Sequence, residues 1–124
     1  MAKLTNALVL ASFCFATALV HAADVSGTWT ASFDTQVGTQ NYTFTFMVDG
    51  NTLTGTAKSN LIGDSTLSEG KVDGDTIAFV EMGTYQGMPL TFTYSGQVVG
   101  ENEIRFKREL MGFPPEEFVA KRAE

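Results

Sequence analysis

Phe46-Met47-Val48-Asp49-Gly50-Asn51-Thr52-Leu53-Thr54-Gly55 is a glycine-centred turn held between two runs of alternating apolar and polar residues. The phrase returns at Gly70-Lys71-Val72-Asp73-Gly74-Asp75-Thr76-Ile77-Ala78-Phe79. It returns again, with a longer turn, at Gly96-Gln97-Val98-Val99-Gly100-Glu101-Asn102-Glu103-Ile104-Arg105-Phe106. Glycine accepts the positive φ of a tight hairpin turn, and such a turn matches the twist of paired strands. Repetition of one phrase with one alternation marks a fold built from a single supersecondary unit.

Working outward from these turns, the period stays at two. Tyr42, Phe44, Phe46 and Val48 share one face, and Thr43, Thr45 and Met47 share the other. Leu90, Phe92, Tyr94, Gly96 and Val98 repeat this opposite Thr91, Thr93 and Ser95. Threonine is β-branched and polar, which suits a solvent-facing strand position. The spacing predicts eight strands, at roughly 25–33, 40–48, 52–58, 65–72, 76–82, 89–98, 103–109 and 117–122, and no helix. Gly112, Pro114 and Pro115 break the run before the last strand. A meander of this kind either closes or leaves two bare edges, and closure removes the risk of edge-to-edge aggregation. The expected fold is all-β, an eight-stranded antiparallel up-and-down barrel, with a β-sandwich as the alternative.

The direction of each strand follows. With the three glycine turns at the bottom, the upper connections are expected as longer loops near 34–41, 59–64, 83–88 and 110–116, so that the barrel resembles a cup. Along the inward face Ile77 leads up through Phe79 to Glu81, and Ile104 through Phe106 to Arg108. Phe33, Tyr42, Leu90 and Phe118 reach the same rim, and the loops add Tyr85, Met88, Leu110 and Phe113. Two readings stand. Either these side chains complete the core while Glu81 and Arg108 turn to water, or Tyr42, Glu81, Tyr85, Arg108, Phe113 and Phe118 form a mouth for a small ligand. Two buried unpaired charges would each cost several kcal/mol, so pairing with each other is their cheapest resolution.

The N-terminal segment stands apart. Lys3 is followed by an apolar stretch from Leu8 to Val20, then Val20-His21-Ala22. That is the order of a secretory signal peptide cut after Ala22 or Ala23. The stretch is shorter than the ~20 residues that span a bilayer as a helix. The expected organisation is therefore a signal peptide over 1–22 and one domain over 23–124, secreted or periplasmic. Phe13 before Cys14 is too bulky for a lipid-attachment site. About one hundred residues suffice for one core and not for two.

Removal of the segment narrows the chemistry. Cys14 and His21 are the chain's only cysteine and histidine, so the mature domain has no disulfide, thiol nucleophile, Ser-His-Asp triad or imidazole-held zinc. Asp49-Gly50-Asn51 and Asp73-Gly74-Asp75 look like the start of a calcium loop, but the remaining ligands are missing. No metal and no cofactor is expected. The chain is acidic, with a net charge of −6, and loses only Lys3 with the signal. Neither nucleic acid nor an anionic membrane surface suits such a partner. What remains for catalysis is a carboxylate pair, for instance Glu81 with Glu116, as glycosidases use.

Gly27-Thr28-Trp29 opening the first strand of a meander, with Arg122 on the last, resembles the calycin superfamily of lipocalins and fatty-acid-binding proteins. The resemblance implies that Trp29 plugs the closed end and that Arg122 packs over it, both structural. The domain is shorter than a lipocalin and lacks its helix and disulfides. A wider likeness runs through Trp29-Thr30-Ala31-Ser32-Phe33-Asp34-Thr35-Gln36, Gln40-Asn41-Tyr42, Val48-Asp49-Gly50, Glu69-Gly70-Lys71-Val72-Asp73-Gly74-Asp75 and Phe118-Val119-Ala120-Lys121-Arg122. These resemble a family of exported bacterial β-domains, some attached to secreted carbohydrate-active hydrolases, and imply an accessory role with no catalytic residue to carry over. The expected function is non-catalytic binding of a small apolar or amphipathic molecule, or of a glycan, at the open end. For the glycan, Gln36, Gln40, Asn41, Tyr42, Tyr85 and Gln86 would supply amides and aromatic faces. The alternatives are a module of a secreted hydrolase, or itself such a hydrolase, and a filled barrel that docks on a partner protein.

Overall fold

The structure, a computed structural model, describes residues 23–123; the signal-peptide reading of 1–22 lies outside them. Eight strands follow in chain order: β1 Gly27–Thr35, β2 Gly38–Asp49, β3 Thr52–Ser59, β4 Gly63–Asp73, β5 Thr76–Tyr85, β6 Met88–Val99, β7 Glu103–Leu110 and β8 Glu116–Arg122. Each pairs antiparallel with the next, and the sheet closes from β8 to β1. The fold is the meander barrel that the alternation predicts.

Inside-outside alternation holds across the hairpins. Trp29, Phe44, Phe79, Phe92 and Phe106, on five different strands, are all inside and none is more than 3% exposed. The first repeated turn carries positive φ at Gly50, between Asp49 and Thr52, which pair with each other. This is the position that a type II′ turn reserves for glycine. The interior is aromatic: the Phe44 ring has Phe46 at 5.6 Å, Phe106 at 5.7 Å, Tyr94 at 5.8 Å and Phe79 at 6.0 Å, with Phe79 and Tyr94 edge-on. Such pairs add ~0.5–1.5 kcal/mol each beyond their burial.

One strand breaks the alternation. In β4 the inward residues pass from Ser65 and Leu67 to Val72, because both neighbouring ladders slip there, between Thr52 and Thr56 on one side and between Ser68 and Lys71 on the other. The extra residue is a β-bulge, with Glu69 exposed at a φ of 54°. A β-carbon at Gly70 would lie 1.9 Å from the Leu53 carbonyl oxygen, so this backbone approach admits only glycine.

The upper connections correct the expectation of four long loops. β1 and β2 are joined by Gln36 and Val37 alone, β3 and β4 by residues 60–62, and β5 and β6 by Gln86 and Gly87. Only 111–115 is longer. Thr35 pairs with Gly38 and Tyr85 with Met88, so the strands run on to the turns. Thr39 and Asn41 have the polarity of a loop but are outward strand positions, and composition does not separate the two.

The lower end is sealed by the segment before β1. The Ala23 amide donates to the Gly74 carbonyl (2.9 Å), the Val48 amide to Ser26 Oγ (3.0 Å) and the Trp29 indole to the Val25 carbonyl (2.9 Å).

Candidate functional site

Two charged side chains, Glu81 on β5 and Arg108 on β7, stand inside the barrel above the aromatic layer, at 0% and 2% exposure. Neither turns to water. The Glu81 carboxylate accepts from Tyr94 Oη (2.7 Å), from Tyr42 Oη (3.0 and 3.1 Å to its two oxygens) and from Ser65 Oγ (3.1 Å). One terminal nitrogen of Arg108 donates to Tyr42 Oη (3.0 Å), Tyr94 Oη (3.3 Å) and Gln40 Oε1 (3.3 Å). Each phenol thus accepts from the guanidinium and donates to the carboxylate. The opposite charges are joined through two hydroxyls rather than directly, which is how a buried pair avoids leaving a charge unmet.

The other side of Arg108 belongs to Glu116, at the start of β8. Nε and the second terminal nitrogen both donate to Glu116 Oε1, at 2.7 and 2.6 Å. The guanidinium also lies over the Phe92 ring at 4.2 Å and the Phe33 ring at 5.0 Å, contacts worth ~0.5–2 kcal/mol. Burial works to lower the Arg108 guanidinium, but Tyr94, Tyr42 and Glu116 together raise it above its ordinary value. Burial raises the Tyr42 and Tyr94 phenols well above theirs, and the Glu81 charge adds to this. All three groups keep their protons through the neutral range.

Above this network the barrel opens. A cavity of about 500 Å³ is walled by Ile62, Leu90, Phe92, Leu110 and the Phe113-Pro114-Pro115 loop, with Asp34 to Val37 of the β1–β2 turn opposite. Arg108, Gln40 and Glu116 reach its floor, and Tyr85 and Met88 its edge. Of the residues assigned to a mouth from the sequence, Tyr85, Arg108 and Phe113 line this space. Tyr42, Glu81 and Phe118 do not; they lie in the layer beneath, where Phe118 stacks on Phe33 with ring centres 4.0 Å apart. Glu81 is sealed off by a detail that strand parity does not reveal. The inward position above it is Gly83, where a β-carbon would come within 2.3 Å of the Ile62 side chain and 3.8 Å of the carboxylate. The missing side chain lets Ile62, itself only 5% exposed, fold in over the acid. Glu81 and Glu116 therefore do not flank one space.

Sequence reasoning names neither Gln40 nor Ser65 as a partner of the charges, nor Glu116 as the partner of Arg108. The signal for Glu116 is its place beside Arg108 in the β7–β8 ladder, where the two are paired residues. Of the six residues weighed as a sugar surface, Gln36, Gln40 and Tyr85 line the cavity, Tyr42 is buried beneath it, Asn41 bonds to Ser32 on the outer face and Gln86 donates to Tyr85 Oη. At the opposite end the Arg122 guanidinium lies 4.5 Å over the Trp29 ring and donates to the carbonyls of Glu101, Ser26 and Asp24. No group of three or more His, Cys, Asp or Glu residues among those described is placed to hold a metal.

Comparison of the chain with family models, with curated proteins and with solved structures finds no match.

Proposed function

We propose that this protein is a non-catalytic, exported binding protein of the calycin-like kind, and that it takes a small apolar or amphipathic molecule in the cup at the upper end of its barrel. The observation that carries the reading is the cavity itself. About 500 Å³ of apolar-walled space lies over a polar floor, within the size range of small-molecule sites. The interior below it is occupied by aromatic rings, so the ligand sits at the mouth and not in a deep well. The lining places Leu90, Phe92, Leu110 and Phe113 where an apolar body would lose water, and each buried CH₂ is worth ~0.8 kcal/mol. Arg108 and Gln40 give the floor a direction. Only Gln36, Gln40 and Tyr85 of the amide and aromatic set line the cup, beside a wall of Ile62, Leu90, Phe92, Leu110 and Phe113, which makes a glycan the weaker choice of ligand.

Titration with Nile red, a neutral apolar dye, tests this. Saturable one-site binding is expected. The double variant Leu90→Ala, Phe113→Ala should weaken it at least tenfold, ~1.4 kcal/mol, with the folded circular dichroism spectrum retained. Binding that never saturates, or that the double variant leaves unchanged, would reject the cup as the site.

A further inference from the structure

We propose that the molecule held in the cup carries a cationic head, an ammonium on a short apolar body, and not a carboxylate. This rests on the cup being a binding site and names the ligand class that its charges select.

Arg108 is the one cation lining the cavity, and its side chain is 1% exposed. All three of its nitrogens are engaged, two on Glu116 Oε1 and the third shared by Tyr42, Tyr94 and Gln40, which leaves at most one of its five N–H donors for a ligand. An incoming carboxylate would find no pair of free donors there and would be brought up against the like charge of Glu116. Glu116 is differently placed. Both bonds from Arg108 end on Oε1; among the described residues Oε2 accepts no hydrogen bond, and the side chain, 29% exposed, lines the cavity. Across the mouth stands Asp34, exposed, with Oδ1 accepting from Thr39 Oγ1 at 2.7 Å. Glu116 beside the guanidinium and Glu81 sealed beneath it already outnumber its one positive charge, and Asp34 adds a third negative charge from the outer side of the rim. A charge entering this partly dehydrated space meets a net negative field, which attracts a cation and repels an anion. The rim adds aromatic surface, with Phe113 53% exposed and Tyr85 beside the same space. Aromatic faces near carboxylates favour an ammonium head.

The test is competition for bound Nile red by decylamine, decanol and decanoate at neutral pH and low salt. Decylamine should displace the dye at a concentration at least tenfold below decanoate, with decanol between. Glu116→Gln keeps an oxygen for Arg108 while removing the charge. With Asp34→Asn it should bring the three competitors within about threefold of one another, an effect of losing charge complementarity. Added salt should narrow the preference in the parent protein. Decanoate equal to or better than decylamine would overturn the proposal. So would a preference that survives both substitutions, or a bound dye that none of the three displaces. Failure of Nile red itself to bind would overturn the cup reading first, and this inference with it.

Discussion

The two ends of the barrel each hold an arginine over an aromatic ring, and they use it differently. At the lower end Arg122 lies over Trp29 and donates only to backbone carbonyls. These carbonyls belong to turns and to the segment before β1, where water can replace the guanidinium. At the upper end Arg108 lies over Phe92 and is held entirely by side chains, with one acid bonded directly and a second joined through the tyrosines. Water does not reach it. The first arginine is a lid on a finished core. The second is the centre of a network that exists only while every member is present. A cation at a sealed end can be simple, whereas one under an opening has to be anchored from below and balanced from the side.

The contrast predicts a ranking. Arg108→Leu should have the largest effect, ~3–5 kcal/mol, because it leaves Glu81 buried without its counter-charge. Urea denaturation measures this. Glu81→Leu combined with Arg108→Leu should cost less than the sum of the two single changes, since the charges leave together. Full additivity would break the claim that the tyrosines join them.

Alkaline titration probes the same network. The folded Tyr42 and Tyr94 phenols ionise above their unfolded values, so above about pH 10 the unfolded chain has lost protons that the folded chain keeps. The stability they contribute is whole below that pH and falls as the pH rises through their folded values. Phenolate absorbance should therefore show that two of the chain's three tyrosines ionise only as the barrel unfolds. Early ionisation of all three would contradict their burial against Glu81.

Arg122→Met should cost the least, ~0.5–2 kcal/mol for the lost cation–π contact, and should not alter Nile red binding at the other end. A loss as large as that of Arg108→Leu would erase the distinction between the ends.

Much of this was legible in the residues. Alternation through the glycine turns placed Glu81 and Arg108 inside, and the cost of isolated buried charge argued that they would pair. What joins them was not legible. Tyr42 is 66 positions from Arg108 and 39 from Glu81, and parity says that side chains share an interior, not which ones meet across it. The seal over Glu81 was hidden for a similar reason. It depends on a side chain that Gly83 lacks and on where the β3–β4 turn lays Ile62. The short upper turns were missed because outward threonines and asparagines read as loop.

From its sequence alone the chain determines an antiparallel meander, its three glycine turns, its aromatic interior and the height at which its charges sit, because these follow from a period of two and from glycine backbone geometry. Only the tertiary structure decided that two tyrosines bridge those charges, that one acid is shut away while another lines the mouth, and that a bulge resets β4. Each depends on the distance between side chains on strands that meet only when the cylinder closes.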